Sequence, residues 1–526
     1  MNIKLIILGF LALSFLKLEA QNKPAGKDKL LTLLYYIENY YVEEISEEEL
    51  VEDAVKKILK DLDPHSVYIP KKDVQRTNEP LKGNFEGVGI QFNILNDTIL
   101  VVATISGGPS EKVGLMAGDK IINIDKETVA GNGINNKGVA DRLRGKKGTE
   151  VLVEVKRAGV KRLLEFKITR DKIPIFSIDA SYMANSNTGY IKISNFGSKT
   201  HQEFTAALEE LKAEGMQNLI LDLQGNGGGY LKAAQKIADE FLESNQMIVY
   251  TEGVHSPKQE LRASSYGNWK TGNVIVLVDQ SSASASEIVS GALQDWDRGL
   301  VLGRRTFGKG LVQRPFTLPD TSQIRLTIAE YFTPSGRFIQ KSYANGTDAY
   351  RKELKERYDS GELTDSMKME FPDSLKFQTS GGRTVYGGGG ITPDIYVPID
   401  TTGTSEYFWK VLRKGIVNKF TLNYVDRNRK QLEKIYKDIS FFDANFEIDE
   451  DYLKDFIKYA EKEKVALDEK GLEKSKEVLS VRLKALVARN LFNEEAYYIV
   501  MNKSLNKSFN KAVEIFEKNE YQNYIK

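Results

Sequence analysis

Ser284, in the run SSASASEIVSGALQD, and Lys309, in RTFGKGLVQ, stand twenty-five residues apart and have the residue types of a nucleophile and its general base. A hydroxyl is a weak nucleophile at neutral pH and needs a neighbour to take its proton. A partly desolvated lysine of lowered pKa can do this without any histidine. The apolar run VIVLVD ends at Asp279, QSSASA breaks it, and SEIVSGALQDW has helical periodicity, so Ser284 is expected at a strand-turn-helix corner. There, free backbone N–H groups and the positive end of the helix dipole can stabilise an oxyanion. Taken alone, a serine-rich stretch at this place is accounted for by helix capping. Lys309 adds the second half: it lies between two glycines, which permit unusual backbone angles and close approach. If GLVQ continues as a strand, Lys309 and Gln313 fall on one face. Base chemistry requires Lys309 to be partly buried, because a loop lysine in water stays charged.

A third element, LILDLQGNGGGYL at 219–231, ends a buried-type strand in Asn226-Gly227-Gly228-Gly229 before another helix. Its glycine amides suit an oxyanion hole. The rival reading, a phosphate loop, lacks the lysine, the Ser/Thr and the G-x-G-x-x-G spacing. Asp295 follows Ser284 by eleven residues, roughly 16 Å along a regular helix, so it is expected to be structural and to pair with Arg298 or Arg304. Glu287 reads as an ordinary first-turn acid. His65, His201 and His255 lie in unrelated segments and read as structural; with no H-E-x-x-H and no cysteine, neither a metal nor another cofactor is expected. LTIAEYFTPSGRFIQ at 326–340 reads as a core strand and turn, with Tyr331 and Phe332 as alternative groove-lining residues.

The elements that must position these residues change character along the chain. Leu30, Leu31, Leu34, Ile37, Leu50, Ala54, Ile58 and Leu59 recur at helical spacing, giving two helices that end at LDPHSVYIP, where Pro64 and Pro70 interrupt. From Leu81 to about Lys172 short β-type runs (GVGIQFNI, TILVVATI, KIINID, EVLVEVKR, LLEFKITR) alternate with turns, a short helix in GGPSEKVGLMAGD and an amphipathic helix in NNKGVADRLRG. That order resembles a PDZ domain, with Gly87, Val88, Gly89 and Ile90 as the carboxylate-binding loop and the adjacent strand edge pairing with a peptide tail. From Ile173 to about Asp400 strands alternate with helices in an α/β core, interrupted by a charged, irregular and mobile insertion at 345–383. Beyond Glu406 the chain is Lys/Glu-rich with helical spacing, a helical domain whose mixed charges read as a solvated surface, with docking or oligomerisation as the alternative.

SASASEI, LQD, TFGKGLVQ, LDLQGNGGG, LDPHSVYIP and the PDZ-like segment together resemble the C-terminal processing peptidases, or tail-specific proteases, over roughly residues 27–400. The resemblance implies Ser284 as nucleophile, Lys309 as general base, Gln313 as the residue that orients the lysine, and Gly228 and Ala285 amides as the oxyanion hole. Gly227 stands where the family often has proline and Gln224 where arginine is common. The implied fold class is multidomain α+β: N-terminal helices (24–76), a PDZ domain (81–172), an α/β serine peptidase core of crotonase or ClpP-like type (173–400) and a helical C-terminal domain (405–526).

Whole-chain properties bound the function. At 526 residues two to four domains are expected. A formal charge of +1 gives no reason to expect nucleic acid as a partner. Residues 1–20 combine Lys4, an apolar run and a small residue before Gln21, the pattern of a secretory signal peptide, and the run is short for a membrane span. The complete lack of cysteine excludes disulfides, lipid-modified cysteine and thiol catalysis. The expectation is a periplasmic or secreted serine endopeptidase that binds unstructured C-termini through its PDZ domain, with an adaptor or a second copy as further partner classes and no membrane span after signal removal. The competing readings are a catalytically silent peptide-binding scaffold and a crotonase-like acyl transferase.

Overall fold

The apolar runs decide the centre of the fold. Thr188–Ile193, Asn218–Asp222, Asn273–Val278 and Leu300–Gly303 are buried along almost their whole length, as strands covered on both faces must be. In the computed structural model, which describes residues 26–369 and 371–525, they stand parallel in a six-stranded sheet. Ile395–Tyr396 extends it in parallel beside Leu300–Gly303, and Ile178–Met183 closes the other edge antiparallel. The leader reading of residues 1–20 lies outside the described residues.

Helices Thr200–Ala213, Leu231–Asp239 and Ala285–Asp295 cover one face, packing Phe204, Leu208, Ile237 and Leu293 with Leu219, Leu221, Val274 and Val276. The other face, with Tyr190, Ile220, Ile275 and Leu302, is covered by Phe509, Ala512, Ile515 and Phe516 of helix Lys507–Glu517. The C-terminal region is helical, as its spacing implies, and part of it packs on the central sheet. It has its own core of Phe420, Phe442, Phe456, Leu483 and Val487, yet its last turns complete the central domain, with the Tyr521 hydroxyl donating to Val274 O at 3.2 Å. The physical reason is that a parallel sheet cannot leave an apolar face in water.

A second, five-stranded sheet is where the sequence reading needed revision. Gln323–Phe332, expected in the core, instead pairs with Leu311–Thr317, with Met247–Gly253 and with Val67–Ile69 from the N-terminal segment. The N-terminal region also holds a third helix, Lys71–Lys82, beginning directly after Pro70. The interval 345–383, expected to be irregular, holds helix Gly346–Asp359, which packs Tyr350 inward and buries Arg357 against Glu362, an acid that also pairs with Arg305.

The PDZ-like segment folds as its spacing requires. Ile90–Ile94, Ile99–Thr104, Lys120–Ile124, Glu150–Lys156 and Leu164–Thr169 form one antiparallel sheet, and Val139 and Leu143 of helix Asn136–Leu143 seal its core. Among the described residues no helix is long and apolar enough to cross a membrane.

If the last helices are structural, Ile515→Ala, at a fully buried position, lowers stability by about 2–5 kcal/mol. Denaturant unfolding followed through the core should move to lower midpoint. An unmoved midpoint would return this region to the role of an independent appendage.

Candidate active site

Ser284 caps helix Ala285–Asp295 at φ 57° and ψ −112°, a conformation residues with a Cβ rarely adopt. Such a corner costs about 1–3 kcal/mol and persists only where the surroundings hold it. Ser284 is held on both sides. Its N–H donates to Glu287 Oε2 at 2.7 Å, and its carbonyl oxygen accepts from the Tyr331 hydroxyl at 3.1 Å. The same hydroxyl lies against the Lys309 carbonyl oxygen, so Tyr331 spans the nucleophile turn and the lysine loop.

Glu287, expected to be an ordinary first-turn acid, is the joint between those two segments. It is completely buried. Oε2 accepts from the amides of Ser284 and Lys309 (2.7 and 2.9 Å), and Oε1 accepts from Thr306 Oγ1 and the Gly308 amide (2.6 and 2.7 Å). Burial pushes its carboxyl up to about 7 against the pull of all four donors. The S-x-x-E spacing of a capping box was the available sequence signal, but it shows only the partner three residues back. The other three come from a loop about twenty residues on.

Lys309 Nζ donates to Gln313 Oε1 at 2.9 Å, and Gln313 Nε2 donates to the His65 carbonyl oxygen. Because the amide nitrogen must face that carbonyl, its oxygen must face the lysine. Burial draws the Lys309 ammonium below its usual 10.5, and the nearby Arg325 cation acts in the same direction. His65 is fixed in turn by Asp63 Oδ1, which accepts from the amides of His65 and Ser66 at 2.7 and 2.8 Å. Burial holds the His65 imidazole down at about 4, and it sits 2.8 Å from the Tyr350 hydroxyl. The LDPHS segment therefore serves the lysine through a backbone carbonyl, a role that side-chain types do not reveal.

Gly228 has φ 98°, and a Cβ there would stand 2.8 Å from Ser284 Cβ and 2.9 Å from Ala285 N. Only glycine lets this loop approach Ser284 so closely. Its amide donates to Asn226 Oδ1 at 2.8 Å in this state, while Asn226 Nδ2 ties the loop to Ile193 O at 2.9 Å. Ala285 is the first residue of the helix, where amides lack intrahelical acceptors. Ser284, Ala285, Gly228, Lys309 and Gln313 all line one cavity of about 420 Å³, with Tyr331 and Arg325 in its wall. Tyr331 thus joins the groove, whereas Phe332 stacks on Tyr250 at 4.8 Å. Asp295 pairs with buried Arg337, not with Arg298 or Arg304, so its role is to anchor the far end of the helix.

A second groove, of about 440 Å³, runs between strand Ile90–Ile94 and helix Asn136–Leu143. Val88, Gly89 and Ile90 line it. Gly87 does not: it is paired with Asp171 in the short strand Asn84–Gly87. Arg144, at the rim, stacks on Phe85 at 4.7 Å and pairs with Glu79 of helix Lys71–Lys82. Thr77, Asn78 and Leu81 of that helix line the Ser284 cavity, so the helix lines one groove and is tied to the rim of the other through Glu79 and Arg144. Among the described residues no cluster of three or more His, Asp or Glu could hold a metal ion.

Comparison with known proteins fits this arrangement. A model of peptidase family S41 matches residues 187–348 and a PDZ domain model matches 87–168. The chain is 35% identical over 333 residues to the carboxy-terminal processing protease CtpB of Bacillus subtilis (strain 168), covering 63% of this chain and 69% of that protein. The chain belongs to the carboxy-terminal processing protease family. Another relative, the carboxy-terminal processing protease CtpA of the same strain, is 34% identical over 355 residues, covering 67% of this chain and 73% of CtpA. Among solved structures, a photosystem II D1 C-terminal processing protease is 25% identical, covers 70% of this chain and 92% of its own, and superposes with a TM-score of 0.35. Residues 407–493 match a family of unknown function, DUF8443. The chain is thus a serine peptidase of family S41 with a PDZ domain.

The buried Glu287 generates a pH prediction. Its carboxyl is raised from 4.5 to about 7 by folding, so the folded state favours the proton and stability falls as pH rises through that window. Glu287→Gln points an NH2 group at donors and costs about 1–3 kcal/mol. The gap between wild type and variant, measured as denaturant midpoints, is expected to be widest at pH 5 and to narrow by pH 8. A gap that grows with pH would overturn this placement of the carboxyl.

Proposed function

We propose that this protease is an exported endopeptidase that binds the unstructured C-terminal tail of a protein in its PDZ groove and cleaves a peptide bond with Ser284 and Lys309. The observation that carries the reading is a half-buried lysine bonded to a neutral amide, not to a carboxylate, in the same cavity as a strained serine at a helix N-terminus. Lysine without a counter-ion in such a place loses its proton more easily, which a general base needs.

In this mechanism neutral Lys309 takes the Ser284 Oγ proton as Oγ attacks the scissile carbonyl. The Ala285 amide stabilises the oxyanion, joined by the Gly228 amide once it leaves Asn226 Oδ1. Lys309 then passes the proton to the leaving amine. Water, deprotonated by the same lysine, releases the acyl group and restores Ser284. Gln313, held by His65 O, keeps Nζ on the nucleophile side. Val88, Gly89 and Ile90 receive the tail carboxylate, and Gly87 supports that turn from its strand. The helix Lys71–Lys82, which lines the Ser284 cavity and pairs through Glu79 with Arg144 at the rim of the PDZ groove, offers a route by which tail arrival reaches the dyad. Its Asn78 accepts from Arg325, the cation that helps hold down the Lys309 pKa.

Cleavage of an unfolded protein with an apolar C-terminal tail tests this reading. Ser284→Ala and Lys309→Ala are each expected to lower kcat/KM about a thousandfold or more, since the pair acts as a unit. The wild-type rate should rise with pH to a plateau reached below 10.5, because the working form of Lys309 is neutral. Equal turnover by all three proteins would defeat the mechanism. Tail binding that survives Ser284→Ala, with no hydrolysis by wild type, would establish the silent scaffold instead.

Amidating the substrate's C-terminus removes the charge the Gly89 turn is expected to hold. Turnover at low substrate concentration should fall at least tenfold. An unchanged rate would place tail recognition elsewhere.

A further inference from the structure

Behind the glycine loop, on the side away from Ser284, lies a cleft of about 800 Å³ between the carboxyl ends of the central strands and the C-terminal helices. That volume is in the range of small-molecule sites, and the outer crevice at the strand ends is where open α/β sheets bind ligands. Gln224, Gly225 and Asp279 form its floor, and Phe408, Trp409 and Met501 contribute an apolar wall.

The charges in this cleft do not cancel. Lys192 and Lys507 are matched to Asp222 and Asp400 at 3.1 and 2.8 Å. The third acid, Asp279, accepts from the amides of Gly225, Ser281 and Ser282. Two guanidinium groups remain. Arg304 donates to Gln280 Oε1 at 2.8 Å and to Val397 O at 3.3 Å, and both acceptors are neutral. Arg482 lies with its Cζ 5.7 Å from the centre of the Phe408 ring, and its buried Nε has no hydrogen-bond partner among the described residues. Counting ionised side chains around the cleft gives four cations and three anions, an excess of one. Arg482 makes no hydrogen bond or ion pair among the described residues, and a guanidinium so placed beside an aromatic wall is suited to a carboxylate carried on an apolar body.

We propose that this cleft is a second binding site, separate from the catalytic and PDZ grooves, for a small amphipathic monocarboxylate with an apolar or aromatic body. Arg482 and Arg304 hold the carboxylate, and Phe408, Trp409 and Met501 take the body. The ligand's contact with Gln224 and Gly225 falls within a few residues of Gly228, on the loop that reaches Ser284. Asn506 ties that loop to the C-terminal helices through Gln224 Oε1 at 3.1 Å. This inference does not rest on the proposed peptidase mechanism, since binding is read without turnover.

The test uses the full chain carrying Ser284→Ala, with 3-phenylpropionate and its primary amide as probes. Of the three tryptophans, Trp269 and Trp296 pack in the central core and Trp409, 43% exposed, lines the cleft, so a fluorescence change that Trp409→Phe abolishes reports the cleft. The acid is expected to give a saturable change, with the amide binding at least tenfold more weakly. Arg482→Gln and Arg304→Gln should each erase most of that preference, and Trp409→Phe should remove the signal while calorimetry still detects binding. Circular dichroism shows which variants are folded, and either arginine variant suffices. No saturation by the acid, equal affinity for acid and amide, or a preference untouched in a folded arginine variant would overturn the proposal. Competition by acetyl-Leu-Phe with a free carboxylate would identify peptide ends as the source of the ligand. Displacement by benzoate or indole-3-acetate but not by the peptide would identify a non-peptide acid.

Discussion

The site depends on one buried carboxylate. Glu287 accepts four hydrogen bonds that come from both the Ser284 turn and the Thr306–Lys309 loop, and it does so in the interior, where leaving any of those donors unmet is expensive. This constraint explains features that look unrelated in sequence. The positive φ of Ser284 is tolerable because its N–H is claimed by Glu287. The left-handed Gly308, φ 84°, is required because the loop must turn two successive amides toward the same acid.

Around this joint, two sheets divide the labour. The six-stranded sheet supplies Ser284 and the glycine loop from the ends of adjacent parallel strands, and buries enough apolar surface to hold a strained corner. The five-stranded sheet supplies Gln313 and Tyr331, and by pairing with Val67–Ile69 it draws the LDPHS turn over Lys309. Lysine burial is therefore a product of three distant segments. Its lowered pKa follows from their meeting, not from any one of them.

Much of this was legible in the chain itself. Continuous apolar runs marked the central strands, short β-type runs between turns marked the PDZ sheet, and S-A-S-A-S, G-K-G and N-G-G-G marked the corners. What was not legible depends on long-range closure. Arg337 as the partner of Asp295, the His65 carbonyl as the support of Gln313, and Glu287 as acceptor for a loop twenty residues away all arise from tertiary pairing that local spacing does not encode. The charged interval 345–383 looked irregular because the pairing of Arg357 with Glu362, and of Glu362 with Arg305 outside the interval, depends on tertiary closure that composition does not report. The C-terminal helices looked autonomous because the apolar face of Lys507–Glu517 gives no hint of which surface it covers.

The central claim is that Lys309 controls the reactivity of Ser284. It is tested most directly by following acylation of Ser284 with a fluorophosphonate reagent across pH, by mass spectrometry, in wild type and Lys309→Ala. The account predicts rapid labelling of Ser284 that titrates with one group of pKa below 10.5, and labelling that is slow and lacks this titration in the variant. Identical rates and pH profiles in the two proteins would contradict it.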